Sequence, residues 1–270
     1  MTEARIVANS NRPNTVKSLA NDLRALGIGP GMVLLAHSSM SRLGWVCGAE
    51  QAVILALEEA LGTTSTLVTP THSTHLSDPA PWCSPPVPSE WWPEIRESAP
   101  AFDPDLTPTR GMGAIPECFR KQHGVERSGH PHVSFAAWGA EAHAIVSDHA
   151  LSYGLGEGSP LARIYERDGW VLLLGVGHNS NTSLHLAEHR ADYAAKRVVT
   201  QWAPVSRQGE RVWISFDDLN CDSSDFERLG HEFNESGQAI FGCVGAADAT
   251  LMRQRALVDF GVSWLESNRT

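Results

Sequence analysis

Residues 170–193, WVLLLGVGHNSNTSLHLAEHRADY, combine the two features that decide the fold class of this chain. Residues 170–177 form an apolar run with two glycines near its end, which is typical of a buried β-strand and the turn that follows it. Residues 178–193 begin with small polar side chains, of which Asn181 or Thr182 could cap a helix. A buried strand that leads directly into a helix is the repeating unit of α/β proteins.

The same alternation of strand and helix is found on both sides of this stretch. An amphipathic helix with a glycine stop is predicted within residues 15–31, and a buried strand, MVLLAHSS, follows at 32–39. Other predicted helices lie at 49–62, 113–122, 140–150 and 250–267, and other predicted strands at 65–73, 133–139 and 211–218. We therefore predict an α/β fold with a single domain over residues 1–270.

Residues 74 to 109 interrupt the alternation. This segment is rich in proline and contains Trp82, Trp91 and Trp92. A long segment of this kind inside a compact domain is usually functional or disordered, and three tryptophans make disorder the poorer interpretation. We predict an ordered flap at about 74–109; a surface excursion with no catalytic role is the alternative.

Composition excludes several classes of protein. The formal net charge of −10 offers no basic surface for nucleic acid, whereas it suits a cationic ligand. The chain has neither a signal-peptide pattern nor an apolar stretch long enough for a membrane span, so a cytoplasmic protein is expected. Five scattered cysteines without a C-x-x-C pair predict neither a disulfide framework nor a cysteine zinc site.

The motif HLAEH places several polar groups on one face of the predicted helix. His185, Glu188, His189 and Asp192 are spaced at i, i+3, i+4 and i+7. The pattern has three interpretations. It is a solvated helix face, or an inverted zinc-protease motif with His178 as a further ligand, or a histidine general base beside a carboxylate. A short motif in a chain with 12 histidines makes the zinc interpretation weaker than the third.

Two other segments have a composition that suits anion binding. Residues 34–53, LLAHSSMSRLGWVCGAEQAV, place His37 and several hydroxyl groups at the end of a predicted strand. Residues 107–117, TPTRGMGAIPE, offer Arg110 and glycine backbone before a predicted helix. Taken alone, each segment is equally consistent with capping and turn chemistry.

Together these segments resemble the aminoglycoside 3-N-acetyltransferases, an antibiotic N-acetyltransferase family distinct from the GNAT fold. The matching stretches include AHSSMSRLGWVCGAEQAV, TLVTPTHS, TPTRGMGAIPE, RSGHPHVSFAAWG, LGEGSPL, LLLGVGHNSNTSLHLAEHRA and RALVDFGVSWLE, in family order along nearly the whole chain. The resemblance implies a single-domain sandwich with a central mixed sheet flanked by helices. It also implies that HLAEH matches the zinc motif by coincidence and that the site holds no metal.

The resemblance implies roles for individual residues. His185 matches the general base, oriented by Asp218 or, with the register shifted by one, by Asp217. His37 and Thr182 are expected to assist catalysis. The residues expected to line the coenzyme A site are His37, Ser38, Ser39, Ser41, Thr71, Ser73, Arg110, Gly111, Met112 and Gly113. The carboxylates expected to bind the acceptor are Glu157, Glu188, Asp192 and Asp218.

The implied reaction is direct acetyl transfer from acetyl-CoA to the 3-amino group of a 2-deoxystreptamine aminoglycoside, which confers antibiotic resistance. Only a neutral amine attacks a thioester, so a base that titrates near neutrality is needed. The implied partners are coenzyme A and the cationic antibiotic, bound by a monomer or homodimer. Alternatives are acetylation of another amine, a zinc hydrolase that uses His185, Glu188 and His189, and a protein that only sequesters a cation.

Overall fold

The computed structural model describes residues 3–8, 10 and 12–269. The strands are β1 (Val33–Ser38), β2 (Thr66–Pro70), β3 (Glu126–Arg127), β4 (Phe135–Gly139), β5 (Trp170–Leu174), β6 (Val198–Arg207), β7 (Glu210–Leu219), β8 (Ala239–Val244) and β9 (Ala247–Arg253). The helices are α1 (Glu3–Ala8), α2 (Val16–Leu26), α3 (Ala49–Leu61), α4 (Trp92–Ser98), α5 (Ala114–Phe119), α6 (Ala142–Val146), α7 (Pro160–Glu166), α8 (Ser183–Arg190), α9 (Phe226–Glu235) and α10 (Gln254–Asn268).

A mixed sheet of seven strands organises the protein, in the order β3-β4-β2-β1-β5-β9-β8. Strand β1 pairs in parallel with both β2 and β5, whereas the outer pairs are antiparallel. The predicted α/β fold with a central mixed sheet is therefore confirmed. The central strands are continuous apolar runs because helices cover both faces of the sheet.

Alternate residues of the central strands point into two separate cores. Leu34 of β1 and Leu172 of β5 pack with α2, α3 and α5 on one face. Leu35 and Leu173 pack with α6, α7, α8, α9 and α10 on the other. This follows from the two-residue period of a strand, which sends neighbouring side chains to opposite faces. The sandwich thus holds β1 and β5 rigidly at its centre.

The predicted helix at 250–267 is wrong at its start. Residues 247–253 form β9, which pairs with β5 and places Leu251 opposite Leu172. Tertiary pairing overrides the local preference here, because a strand at this position completes the buried sheet. Strands β6 and β8 were not predicted. The helices predicted at 113–122 and 140–150 are shorter in the structure, where they are α5 and α6. The helix that carries HLAEH, α8, begins after Thr182, one of the two predicted caps, and ends at Arg190.

The segment at 74–109 packs beside a two-stranded hairpin formed by β6 and β7. It contains two short helical turns and α4. Asp78 accepts a hydrogen bond from Arg96 Nε at 2.7 Å, and the backbone N–H of Phe102 donates to Pro204 O of β6 at 3.0 Å. Both contacts tie the segment to defined positions.

In the part of the chain that the structure describes, no helix has the length and apolar character needed to cross a membrane.

Candidate active site

The carboxyl ends of the three parallel strands β1, β2 and β5 meet at one edge of the sheet. His37 and Ser38, at the end of β1, pair in register with Leu173 and Leu174 of β5. The chain leaves β5 through Gly175, whose φ of +68° favours glycine and where a Cβ would lie 2.6 Å from the Cβ of Arg42. In open α/β sheets this edge is where ligands bind.

A cleft with a volume of about 620 Å³ opens at this edge. Its walls come from the segments after β1, β2 and β5 and from the start of α5. The lining residues are His37, Ser38, Ser39, Met40, Ser41, Pro70, His72, Gly111, Met112, Gly113, Ala114, Pro116, Val176, Asn179, Ser180, Thr182 and His185. The lining combines hydroxyl groups and glycine backbone with the three histidines.

His185 and Glu188 form a hydrogen-bonded pair in the wall of the cleft. His185 Nδ1 lies 2.5 Å from Glu188 Oε2, and the Glu188 side chain is completely buried. The spacing of three residues on α8 brings the two side chains together on one face. The Phe226 ring packs 4.9 Å from the imidazole. Since Nδ1 is used, Nε2 is the nitrogen that can serve the cleft.

The second oxygen of Glu188 is also fully engaged. Oε1 accepts hydrogen bonds from Arg269 Nη1 at 2.5 Å and from the Asp222 backbone N–H at 2.9 Å. Burial alone raises the pKa of Glu188, but the hydrogen bonds from His185, Arg269 and Asp222 together hold it below its usual value. Glu188 is therefore a fixed carboxylate whose negative charge faces the imidazole.

Two further histidines stand near His185 in neutral form. His37 Nε2 lies 3.4 Å from the Thr182 hydroxyl oxygen. Burial, followed by the positive charges of neighbouring histidines, lowers the pKa of His37 to about 3 and that of His72 to about 3. Neutral imidazoles and a hydroxyl can donate hydrogen bonds to an oxygen that gains charge.

The nearest thiol is not activated. Cys221 lies with His185 and Glu188, where their polar atoms are within 4.8 Å of one another. Burial, followed by the negative charge of Glu188, raises the pKa of the Cys221 thiol. A protonated thiol is a poor nucleophile, so this arrangement argues against an acyl-cysteine intermediate.

Comparison with known proteins places the chain in a family. The sequence model of the family described as aminoglycoside 3-N-acetyltransferase matches residues 35–266. The chain belongs to the aminoglycoside 3-N-acetyltransferase family. The family prediction is thus confirmed, and the match covers every strand of the central sheet except the first residues of β1.

Relatives in this family match over nearly their whole length. The aminoglycoside N(3′)-acetyltransferase-like protein YokD of Bacillus subtilis is 43% identical, with 98% of this chain and 97% of that protein aligned. Its crystal structure superimposes with a TM-score of 0.96 over 98% of each chain. Aminoglycoside N(3)-acetyltransferase VII of Streptomyces paromomycinus is 38% identical over 98% of this chain and 96% of its own.

One solved structure of the family contains coenzyme A. The structure titled AAC-IIIb binary with CoASH is 35% identical and superimposes with a TM-score of 0.86. It covers 96% of this chain and 98% of its own. The mixed α/β sandwich described above is therefore the fold of this acetyltransferase family.

The carboxylate that contacts His185 Nδ1 is not the predicted one. Asp218 or, with the register shifted by one, Asp217 is predicted to orient His185, but the carboxylate that accepts the hydrogen bond from His185 Nδ1 is Glu188. Asp218 lies on β7, where Oδ1 accepts the Leu219 N–H at 2.8 Å and approaches His189 Nε2 at 4.0 Å. The i, i+3 spacing places Glu188 one turn after His185 on the same face of α8.

Three of the expected acceptor carboxylates are differently placed. Glu188 is buried and its oxygens are used, so it cannot contact an acceptor. Asp192 is exposed and lies beyond the end of α8 at Arg190, outside the predicted helix face. Glu157 is exposed and accepts two hydrogen bonds from Arg190, at 2.7 and 3.0 Å.

The expected coenzyme A residues divide into two groups. Those that line the cleft are His37, Ser38, Ser39, Ser41, Gly111, Met112 and Gly113. Thr71 and Ser73 are buried, and their hydroxyl groups bond to Ser134 and to the Pro131 carbonyl oxygen, so they brace the wall. Arg110 lines a second cavity of about 560 Å³, which the flap walls with Trp82 and its neighbours.

The zinc interpretation of HLAEH finds no support in the geometry. Among the described residues, the group of possible ligand atoms around His185 consists of His185, Glu188 and Cys221. His189, the second histidine of the motif, is not part of this group. The His189 ring instead meets Tyr153 edge-on at 6.1 Å. Burial, followed by the positive charge of His185, lowers the pKa of His189 to about 4.

Sequence reasoning missed three residues of the site. His72 follows β2 by two positions and could have been found from the rule that ligands bind at strand ends. Cys221 and Arg269 lie 36 and 84 positions from His185 in the chain numbering. No local pattern connects them with α8, because only the tertiary fold brings them there.

Proposed function

We propose that this protein transfers the acetyl group of acetyl-CoA to the 3-amino group of 2-deoxystreptamine aminoglycosides. The observation that carries the proposal is the His185–Glu188 pair in the wall of the cleft. Family membership supplies the substrate classes, and the relative solved with CoASH shares this fold. Acetylation removes a positive charge from the antibiotic, which is a route to resistance.

Coenzyme A fits the polar side of the cleft. Its pantetheine arm would run along Ser38, Ser39 and Ser41, whose hydroxyl groups face the cavity. The backbone from Gly111 to Gly113 would hold the part nearer the phosphates, since glycine allows close approach. The volume of about 620 Å³ is in the range of small-molecule sites. The thioester would then end beside His185 and Thr182.

The chain's own groups suffice for direct transfer. His185 Nε2 takes the proton from the attacking amine as the nitrogen bonds to the thioester carbon. The Thr182 hydroxyl and the neutral His37 ring donate to the oxyanion. The C–S bond then breaks, and His185 returns the proton to the coenzyme A sulfur. Glu188 fixes the tautomer of His185 and stabilises its charged form.

The acceptor would approach past the β6–β7 hairpin. Among the carboxylates predicted to bind the acceptor, Asp218 lies near the histidines of α8. Its Oδ1 is 4.0 Å from His189 Nε2. Burial raises the pKa of Asp218, so an ammonium group beside it would favour its charged form. The net charge of −10 draws polycations toward the protein. The flap at 74–109 would select among acceptors.

The reaction is placed in the cytoplasm by its cosubstrate, since acetyl-CoA is made inside the cell. We also assign residues 1–270 to one acetyltransferase domain, because the helices on both faces pack on a single sheet.

The test measures release of the coenzyme A thiol from acetyl-CoA with a panel of 2-deoxystreptamine aminoglycosides in metal-free buffer. Wild-type protein is expected to release thiol only with an acceptor present. His185→Ala is expected to lose about 10²-fold or more in kcat, the usual size of a general-base contribution. Mass spectrometry of the product would locate the acetyl group on the 3-amino nitrogen.

His231→Ala is a matched control, because His231 is an exposed histidine on α9 with 73% of its side chain accessible. It is expected to retain the wild-type rate. Equal rates for His185→Ala and wild type would refute the assigned base. Absence of thiol release with every aminoglycoside would refute the substrate class.

A further inference from the structure

Arg269 connects the C-terminal end of α10 to the catalytic pair. Its Nη1 donates to Glu188 Oε1 at 2.5 Å, and its Nε and Nη2 donate to the two carboxylate oxygens of Asp225 at 2.9 and 2.6 Å. Nη2 also donates to the Asp222 carbonyl oxygen. Nη1 also lies 3.5 Å from the Tyr193 hydroxyl oxygen, so the guanidinium uses all of its nitrogens as donors to four residues.

This arginine is held in one place by its surroundings. Only 10% of its side chain is exposed. The guanidinium carbon lies 5.3 Å from the Tyr193 ring centre and 5.9 Å from that of Phe226. Phe226 is the ring that packs on His185. Arg269 therefore touches both groups that define the position of the imidazole.

The family pattern does not point to this residue. The family sequence model ends its match at residue 266, before Arg269. Arg269 and Glu188 are 81 residues apart in the sequence, so only the tertiary fold brings them into contact.

We infer that Arg269 is a positioning residue for the acetyl transfer, acting on His185 through Glu188. The inference rests on the proposed function, since it assigns the arginine to that same base. Arg269 fixes Glu188 Oε1, which leaves Oε2 aimed at His185 Nδ1.

The guanidinium also balances the charge of the buried carboxylate. An unpaired carboxylate at this position would attract a proton to His185 more strongly, because an opposite charge nearby favours the charged imidazolium. The titratable groups that face His185 are Glu188, Asp218, Cys221, Asp222, His37, His72 and His189. Arg269 contacts the first of these carboxylates directly, so its removal changes the field at the imidazole.

Arg269→Met tests the inference, because it keeps the aliphatic stem and removes the charged fork. We expect kcat to fall by roughly tenfold or more, as expected for a misplaced base. The KM for acetyl-CoA is expected to stay near the wild-type value. The acid limb of the pH dependence of kcat/KM is expected to move upward by roughly half a unit or more.

Arg255→Met is the matched control. Arg255 lies at the other end of α10, where it donates to the carbonyl oxygens of Tyr165 and Glu166 rather than to Glu188. It is expected to leave kcat and the acid limb unchanged. A merely structural role for Arg269 would lower the folded fraction and leave the acid limb in place, and this outcome would overturn the inference.

Arg269→Lys serves where the methionine variant does not fold. Lysine keeps the charge but cannot donate to Glu188 and Asp225 as a planar fork does. We expect a lower kcat with the acid limb close to wild type. Wild-type kcat in this variant would overturn the positioning role.

A readout independent of turnover separates this inference from the proposed function. The titration of the His185 ring is followed by NMR of protein labelled at the histidine Cε1, with the resonance assigned from a His185→Gln variant. The midpoint of the His185 titration is expected to move upward in Arg269→Met. A midpoint that stays in place or moves downward would overturn the inference. This shift is measurable even if no aminoglycoside is acetylated.

Discussion

Two groups of buried histidines lie close together in this protein and differ in their partners. In the cleft, His185 is bonded to a buried carboxylate. Behind the wall, His130 and His149 stack with ring centres 4.8 Å apart and bond to neutral groups. His130 Nδ1 accepts two backbone N–H groups at 3.1 Å, and its Nε2 lies 3.0 Å from the Leu151 carbonyl oxygen.

The difference separates chemistry from packing. His130 is satisfied as a neutral ring, so protonation would break hydrogen bonds that the fold supplies. Burial, then the charge of His149, lowers the pKa of His130. His185 has a counter-charge that stabilises its protonated form, and one nitrogen stays available for the cleft. A hydrogen-bonded carboxylate, rather than burial, distinguishes His185 from the packed histidines.

The largest effect is expected when the partner of His185 loses its charge. In Glu188→Gln the side chain keeps its shape, but the imidazolium formed during transfer loses its counter-charge. We expect kcat to fall by about 10²-fold or more. Steady-state kinetics with saturating acetyl-CoA and one aminoglycoside would measure it.

Asp218→Asn is the direct comparison, because Asp218 was the carboxylate predicted from sequence. It is expected to leave kcat close to wild type and to raise the KM of the aminoglycoside. The opposite ranking, with Asp218→Asn more damaging to kcat than Glu188→Gln, would return the orienting role to the hairpin.

The fold was largely predictable because its centre is built from strong local patterns. Apolar runs at 32–39 and 170–177 have the length and composition of buried strands, and β1 and β5 lie within them. The start of α10 was mispredicted, because residues 250–253 become a strand only by pairing with β5. Such pairing is long-range information that no window of sequence contains.

The site was predictable where chemistry follows strand ends. His37, Thr182 and His185 lie in the cleft as expected. The hydrogen bond between His185 and Glu188 was not predicted, although Glu188 stands one helical turn from His185. The choice between a helix neighbour and a hairpin residue depends on side-chain direction, which spacing alone does not fix. Arg269 depends wholly on the packing of α10 against α8.

A second effect, on the free energy of unfolding, is expected when the pH is lowered into the range where histidines become protonated. Burial lowers the pKa of His149 to about 4, although the hydrogen bond with the Gly154 carbonyl oxygen opposes this shift, and burial also lowers the pKa of His130 well below its usual value. The unfolded chain therefore binds more protons than the folded one between pH 6.5 and about 4. The free energy of unfolding is expected to fall as pH decreases, by roughly 2 kcal/mol for His149 between pH 7 and pH 5, and His130 acts in the same direction.

Urea unfolding at several pH values between 7.5 and 5.5 would measure this loss, in a range where most carboxylates stay ionised. In His149→Gln the slope of unfolding free energy against pH is expected to decrease by about half a proton on average over this range, and by close to one proton near pH 5.5. His231→Gln, at an exposed position, is expected to keep the wild-type slope. Equal slopes for all three proteins would mean that the buried cluster does not control acid stability.

The smallest effect is expected at Glu157, a carboxylate that is paired with an arginine at the protein surface. Glu157 accepts two hydrogen bonds from Arg190, yet 66% of its side chain is exposed, whereas Glu188 is fully buried beside Arg269. Water screens the exposed pair, so Glu157→Gln is expected to change the free energy of unfolding by less than about 1 kcal/mol. Because Arg190 already neutralises this carboxylate, the KM of the aminoglycoside is expected to change by less than about twofold. A large rise in KM with unchanged stability would show instead that an ammonium group of the acceptor displaces Arg190, and would return Glu157 to the acceptor site predicted from the sequence.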